Sequence, residues 1–367
     1  MKGVMRGNMN LTRSLEKKIK SLGFDFYGIS SVDPSSHVDF YLDWLARGAH
    51  GEMHYLERRD AVDRRFDLKK TLPSARTALV VAQNYFQDDS VDHEGDESRA
   101  IIARYARGED YHDVIRGKLR TLHSWINQSL EREVQGVAYV DTGPILEREL
   151  AQKAGIGWFG KNTMLINPKQ GSYFFLGVLL MDLDITPSKA FSEDHCGSCT
   201  SCLDSCPTNA LLGRDQDGAP IMDARKCISY LTIEHKGSIP IELREKMGNR
   251  VYGCDICQEV CPWNIKFSVS GSDPAFMTRK GLDGPALLDL AEQLVKMDDA
   301  DFRVSYKKSP ISRAKRKGLL RNVCVAMGNW GSRECIPLLK RAMGDPEPLV
   351  REHASWALDK IQSTNEG

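Results

Sequence analysis

The run Cys196-Gly-Ser-Cys199-Thr-Ser-Cys202-Leu-Asp-Ser-Cys206-Pro207 constrains this chain more than any other stretch, because its C-x2-C-x2-C-x3-C-P spacing is that of bacterial ferredoxins, whose thiolates hold [4Fe-4S] clusters. A second group, Cys254-Asp-Ile-Cys257-Gln-Glu-Val-Cys261-Pro262, repeats the last three thiols and the closing proline. Its missing first member is assigned to Cys227 by counting thiolates. In two-cluster ferredoxins the fourth cysteine of one run ligates the other cluster. One cluster is therefore expected on Cys196, Cys199, Cys202 and Cys261, and the other on Cys206, Cys227, Cys254 and Cys257. A pair of structural zinc sites is the alternative, since four-cysteine sites with C-x2-C spacing also hold zinc.

Cys324 and Cys335 lie in amphipathic sequence away from this group and read as small core residues. Cysteine concentrated at ligand spacing, with no secretory or twin-arginine signal read at the N-terminus, argues against a disulfide framework and for a reducing compartment. Met1, Met5 and Met9 are all candidate starts. The longest strongly apolar stretch, Tyr173 to Met181, is too short to span a bilayer, so a soluble cytoplasmic protein with no membrane partner is expected. Fifty basic residues balance fifty acidic ones, so a nucleic acid would have to be held by a local patch. One candidate patch runs from Arg303 to Arg321, with Arg303, Lys307, Lys308, Arg313, Lys315, Arg316, Lys317 and Arg321 and no acidic residue. From charge alone, a solvated helix face is the simpler reading of it.

The 367 residues allow two or three domains. Helical periodicity is expected over Asn10–Leu22 and across Glu109–Glu133, and strands over Phe24–Ser30, Thr77–Tyr85, Val137–Val140, Thr163–Ile166 and Ser172–Met181. Asp141-Thr-Gly-Pro144 turns the chain, with Pro144 expected to open a helix running to about Lys153. These elements compose an α/β (α+β) unit over residues 1–187, followed by a ferredoxin-like unit over 188–272 and a helical unit over 273–367. Within the last, three helices broken at Gly331 and Asp345-Pro346 end in a pair the size of one HEAT-type hairpin.

Two motifs mislead. Gly155-Ile-Gly-Trp-Phe-Gly160-Lys161-Asn162 matches G-x-G-x-x-G and most of a Walker A loop, but a helix precedes it and a strand follows, the reverse of what phosphate binding at a helix N-terminus needs. Gly155 reads instead as a helix C-cap, and the loop, with Trp158 and Phe159, as a lining for a large flat ligand or a packed turn. His50 and His54 have helical ligand spacing, but no third ligand is evident in the sequence and they read as an unrelated pair.

The chain as a whole resembles the epoxyqueuosine reductases, cobalamin and iron-sulfur enzymes of tRNA modification. The resemblance is carried by Gly51-Glu-Met53 with Arg58, Arg104-Tyr-Ala-Arg-Gly-Glu-Asp-Tyr-His112, Val140-Asp-Thr-Gly-Pro-Ile-Leu-Glu-Arg148 and Lys153-Ala-Gly-Ile-Gly-Trp-Phe-Gly-Lys161. It continues through both cysteine groups, Cys227-Ile-Ser-Tyr-Leu-Thr-Ile-Glu234, Gly248-Asn-Arg-Val-Tyr-Gly-Cys254 and Ser309-Pro-Ile311. It implies two-electron reduction of the epoxide of the modified wobble base in tRNAs with GUN anticodons, the final step of queuosine formation, by a monomer fed by an external electron donor. The cofactors it implies are two [4Fe-4S] clusters and base-off cobalamin. Asp110-Tyr-His112 lacks the glycine of a D-x-H-x-x-G cobalt-ligand motif, which agrees with the absence of a lower histidine ligand.

The implied proton donor falls on Asp141, whose pKa burial against the corrin and substrate would have to raise above the free value of about 3.9. A cap of the following helix is the simpler role for Asp141. Implied cobalamin contacts are Arg58, Tyr105, Asp141, Ile145, Leu146, Glu147, Arg148, Lys161, Ser172 and Phe174, with Ser229 and Arg250 from the cluster unit. The basic stretch becomes a tRNA backbone contact. Rival readings are a plain electron-transfer protein, a zinc-stabilised RNA-binding module, and a cobalamin reductase acting on organohalides.

Overall fold

A computed structural model describes residues 13–88 and 95–364. Strands β1 (Phe26–Ser30), β2 (Thr77–Asn84), β3 (Gly136–Tyr139) and β4 (Phe174–Met181) form one antiparallel sheet in the order β1-β2-β4-β3. Every residue of β2 is buried, which is why it reads as a continuous apolar run rather than an alternating one. Its two faces serve two cores. Leu79 and Val81 pack with Leu179, Met181 and the helix α1 (Tyr111–Leu130), which contributes Ile115, Leu119, Leu122 and Ile126. Ala78, Val80 and Ala82 pack with Val178, Leu180 and the helix α2 (Glu147–Lys153), through Leu150 and Ala151. At the sheet edge a Cβ on Gly28 would lie 2.0 Å from the carbonyl oxygen of Ala154, so only glycine lets the end of α2 approach β1 this closely.

Two expectations change here. The helix expected from Pro144 begins at Glu147, because Asp141 adopts a left-handed φ of 58° and its N–H is taken by the Glu147 carboxylate at 2.7 Å, which spends residues 141–146 on a loop. The sheet is antiparallel, so the rule that places ligands at the switch point of a parallel sheet does not explain why Asp141 sits just past the end of β3. The helix expected over Asn10–Leu22 covers 13–21, its first residues and the candidate starts lying outside the described residues.

The cysteine region is laced into the sheet unit. Arg250–Tyr252 pairs in parallel with Ile101–Ile102, and Asn84 Nδ2 donates to the carbonyl of Val269. Pro262 opens the short helix Pro262–Phe267 directly after Cys261, where its missing N–H costs nothing. Towards the C-terminus, helix α3 (Lys315–Trp330) is buried on almost every side between Pro348–Thr364, Leu287–Lys296 and the strand Arg250–Tyr252. Gly331 ends it in the left-handed conformation, as expected of a glycine past a helix end. Cys324 and Cys335 are fully buried in this helical core. Among the described residues no helix is long and apolar enough to cross a membrane.

Candidate functional site

Short helices aim the cysteines inwards. Ser201–Asp204 follows Cys199, Ile256–Glu259 carries Cys257, and these two helices pack on each other. The thiols act on one another in two sets. Burial, then Cys196, Cys261 and Cys199, push the Cys202 thiol up to about 11, and burial followed by Cys196 and Cys199 raises Cys261. Burial, then Cys254 and Cys227, lifts Cys257 well above the usual thiol range, and Cys206 acts on Cys227. Cys202 also acts on Cys257, so the two sets lie against each other. Thiols that burden one another in this way fit a group that takes them as thiolates and shares their charge with iron.

A polar constellation lies in a recess next to the second set. Asp110 caps the N-terminus of α1 by accepting from His112 N, and its Oδ1 also meets His112 Nδ1 at 2.6 Å. On the other side of the ring His112 Nε2 meets Asp141 Oδ2 at 3.2 Å, and the Tyr111 hydroxyl donates to the same oxygen at 2.9 Å. The Asp141 side chain is 62% accessible because it faces the open recess, although protein surrounds that recess. Burial drives its pKa up, but the hydrogen bonds from His112 and Tyr111 outweigh this and hold it below the usual carboxylate range. The rise anticipated for Asp141 was tied to burial against corrin and substrate, and the protein's own contacts act against it. The raised groups are its neighbours. Burial opposes a charge on His112, yet Asp110 and Asp141 lift it to about 9, and burial with the charge of Asp141 pushes Glu147 up to about 8.

An aromatic chain connects this constellation to the cysteines. Tyr111 meets Tyr105 edge-on at 6.1 Å between ring centroids, and Tyr105 meets Tyr252 at 6.3 Å, next to Gly253 and Cys254. At the mouth, Arg313 pairs with Glu234 and lies over the half-exposed ring of Tyr55, both near enough to Asp141 to feel its charge.

The other sequence candidates divide. Tyr105, Asp141 and Glu147 come together, and Arg148 lies beside them, donating to the carbonyl of Thr163. Leu146, Ser229 and Arg250 are half-buried, Arg250 close enough to Cys254 to act on its thiol. Ile145 and Phe174 are instead core residues of the sheet, and Ser172 is buried with its hydroxyl donating to Gln258 Oε1, so none of the three presents a free group to the recess. Lys161 donates to the carbonyls of Gly197 and Cys199, which ties the glycine loop to the first cysteine run. Trp158 of that loop is buried against Phe191 and Trp263 beside Cys261, a packed turn rather than an open platform. Gly155 has a φ of 78° at the end of α2, as a cap requires. Arg58 is exposed and pairs with Asp60.

The basic stretch is not uniform. Arg316 is 5% exposed and bonds both oxygens of Asp345, and Arg321 is 1% exposed and donates to the carbonyls of Leu231, His235 and Gly237. Neither can reach a phosphate, because each holds the helical core together. Lys317 pairs with Glu347 and Arg313 with Glu234, whereas Arg303, Lys307, Lys308 and Lys315 are exposed. The sequence also under-read His50 and His54, which the fold brings to one carboxylate: Glu57 lies 3.4 Å from His50 Nε2 and 2.8 Å from His54 Nδ1.

Comparison with known proteins gives three family matches: "Epoxyqueuosine reductase QueG, DUF1730" over residues 65–142, "4Fe-4S double cluster binding domain" over 195–264, and "HEAT repeats" over 311–366. The epoxyqueuosine reductase of Pseudomonas aeruginosa is 39% identical over 362 residues, covering 96% of this chain and 95% of that protein. That of Vibrio cholerae is 40% identical over 356 residues, covering 95% and 92%. Among solved structures, an epoxyqueuosine reductase with an epoxyqueuosine-modified tRNA-Tyr stem loop superposes with a TM-score of 0.83 at 31% identity, covering 96% of this chain and 90% of that one. A Bacillus subtilis epoxyqueuosine reductase, described as having its catalytic aspartate loop swung out of the active site, gives 0.84 at 31% identity, covering 96% and 91%.

Proposed function

The chain belongs to the epoxyqueuosine reductase family, and from that premise we propose that it reduces the epoxide of epoxyqueuosine at the wobble position of tRNA, with Asp141 delivering protons to the departing oxygen. Electrons enter through two [4Fe-4S] clusters, held by Cys196, Cys199, Cys202 and Cys261 and by Cys206, Cys227, Cys254 and Cys257. The observation that carries this reading is the adjacency of the second thiol set to an accessible carboxylate, bridged by Tyr252, Tyr105 and Tyr111.

The same site is the proposed place for cobalamin in its base-off form. Both ring nitrogens of His112 are engaged by carboxylates, so the histidine is not available as a cobalt ligand. When bound, cobalamin would supply a low-valent metal able to pass a pair of electrons to carbon, which clusters working one electron at a time cannot do. Tyr105, Glu147, Arg148, Ser229 and Arg250 are the residues that would hold it.

The chain's own residues then have separable tasks. Tyr111 and His112 orient the Asp141 carboxylate, and Glu147 latches the backbone N–H of Asp141 at 2.7 Å. A left-handed non-glycine φ at Asp141 costs about 1 kcal/mol or more, so such a loop needs a latch. The family includes a protein whose catalytic aspartate loop moves, and here Glu147 would govern that movement. Arg303, Lys307, Lys308 and Lys315 contact the tRNA backbone, while Tyr55 and Arg313 border the entrance for the wobble base, which a single-stranded loop can extrude at low cost. The reaction is cytoplasmic, the enzyme a monomer, and the electron donor external. Anaerobic reconstitution with iron, sulfide, cobalamin and reductant, followed by mass analysis of nucleosides from epoxyqueuosine tRNA, tests the proposal: conversion to queuosine supports it, and iron-free, zinc-loaded protein without conversion refutes it.

A further inference from the structure

Removing an epoxide oxygen breaks two C–O bonds, forms one C=C bond and releases water, which takes two electrons and two protons. The electrons have a route through the clusters. The protons must come from groups that hold them at neutral pH, and Asp141 in this setting does not, since His112 and Tyr111 stabilise its carboxylate. Resting on the reductase reading, we propose that His112 holds the proton that Asp141 hands to the departing oxygen, so that Asp110, His112 and Asp141 form a carboxylate–imidazole–carboxylate relay.

The geometry is specific on both sides of the ring. Nδ1 lies 2.6 Å from Asp110 Oδ1 and Nε2 lies 3.2 Å from Asp141 Oδ2, so contacts to two acceptors fix the ring orientation and favour both N–H groups being present. Asp110 is itself fixed, because capping α1 makes it accept the His112 backbone N–H at 3.0 Å. Its role is that of a positioning residue which keeps positive charge on the ring. Other groups face the relay from every side: Tyr111 donates to Asp141 Oδ2, Arg116 lies near Asp110 and bonds Thr142, Glu147 accepts from Asp141 N, and Arg313 acts on Asp141 from the mouth. Tyr111 stays protonated throughout, because burial raises its pKa well above the usual phenol value.

Each transfer balances. The Nε2–H bond breaks as an O–H bond forms on Asp141 Oδ2. That proton then passes to the substrate oxygen, and the ring remains neutral with its other N–H on Asp110. His112 keeps 17% of its side chain accessible, so water in the recess can restore the Nε2 proton for the second transfer.

Asp110→Asn preserves the helix cap but removes the charge that favours imidazolium. In histidine-15N-labelled holoenzyme with oxidised clusters, the His112 resonance should titrate near 9 in the unsubstituted protein. In Asp110→Asn it should titrate about one pH unit or more lower, with the alkaline limb of the kcat profile moving by the same amount and KM for the stem loop unchanged. His112→Gln, a second variant should the first fold poorly, should lose the alkaline limb and about a hundredfold or more in kcat. A His112 that titrates below pH 7, or an alkaline limb that stays in place while the resonance moves, overturns the relay. Absence of epoxyqueuosine turnover in unsubstituted, fully loaded enzyme with the titration intact overturns the reductase reading, and the relay's role with it.

Discussion

Replacing Lys307 and Lys308 together by glutamine tests how this chain grips RNA, because it separates charges that face solvent from charges the fold consumes. Of eight basic residues between Arg303 and Arg321, two are buried in the helical core and two are paired with Glu234 or Glu347, which leaves Arg303, Lys307, Lys308 and Lys315 as the proposed phosphate contacts. Each phosphate contact contributes about 0.7–0.9 to the slope of log affinity against log salt, so the four together supply a slope of about 3 and the double variant should lose about 1.5 of it. The assay is fluorescence anisotropy of a labelled anticodon stem loop titrated at salt concentrations from about 50 to 200 mM. Arg316→Met is the matched control. It leaves the Asp345 carboxylate buried without its partner and should cost about 3–5 kcal/mol of stability with no change in slope. If the lysine variant keeps the full slope, or Arg316→Met flattens the slope while its Tm holds, the division between surface and structural charge is wrong.

Cys227→Ala should lose the second cluster alone, iron falling from about eight to about four per chain, since each cubane needs four thiolates. Unchanged iron content would remove Cys227 from the ligand set. Gly28→Ala should lower Tm by several degrees, because its Cβ would meet backbone of Ala154 rather than a side chain able to move, and overpacking of this kind costs about 1–3 kcal/mol. A thermal melt matching the unsubstituted protein would show that the end of α2 can withdraw from β1.

What the sequence made legible followed from local rules. Thiol spacing anticipated a two-cluster region, and a double-cluster family match covers residues 195–264, because a cluster imposes the same spacing on any chain that wraps it. Periodicity located α1 and the four sheet strands to within a few residues, since each buries a regular face. The remainder depended on partners distant in the chain. Arg316 and Arg321 looked like surface charge until Asp345 and the carbonyls of residues 231–237 closed around them. The direction of the Asp141 pKa could not be read either, because His112 lies 29 positions away and comes within hydrogen-bonding distance only when the α1 N-terminus meets the loop after β3. Pro144 carried a helix-start signal that the Glu147 bond to Asp141 overrode. The pair His50 and His54 lacked a visible third group because Glu57 joins them only when the turn at His54–Leu56 folds it back.

The most direct measurement is single-turnover conversion of epoxyqueuosine stem loop by anaerobic enzyme carrying iron, sulfide and cobalamin, run side by side with Asp141→Asn. The account predicts stoichiometric queuosine from the unsubstituted protein. It predicts at least about a hundredfold less from the variant, with iron and corrinoid content equal in both. Equal rates in the two proteins would contradict it.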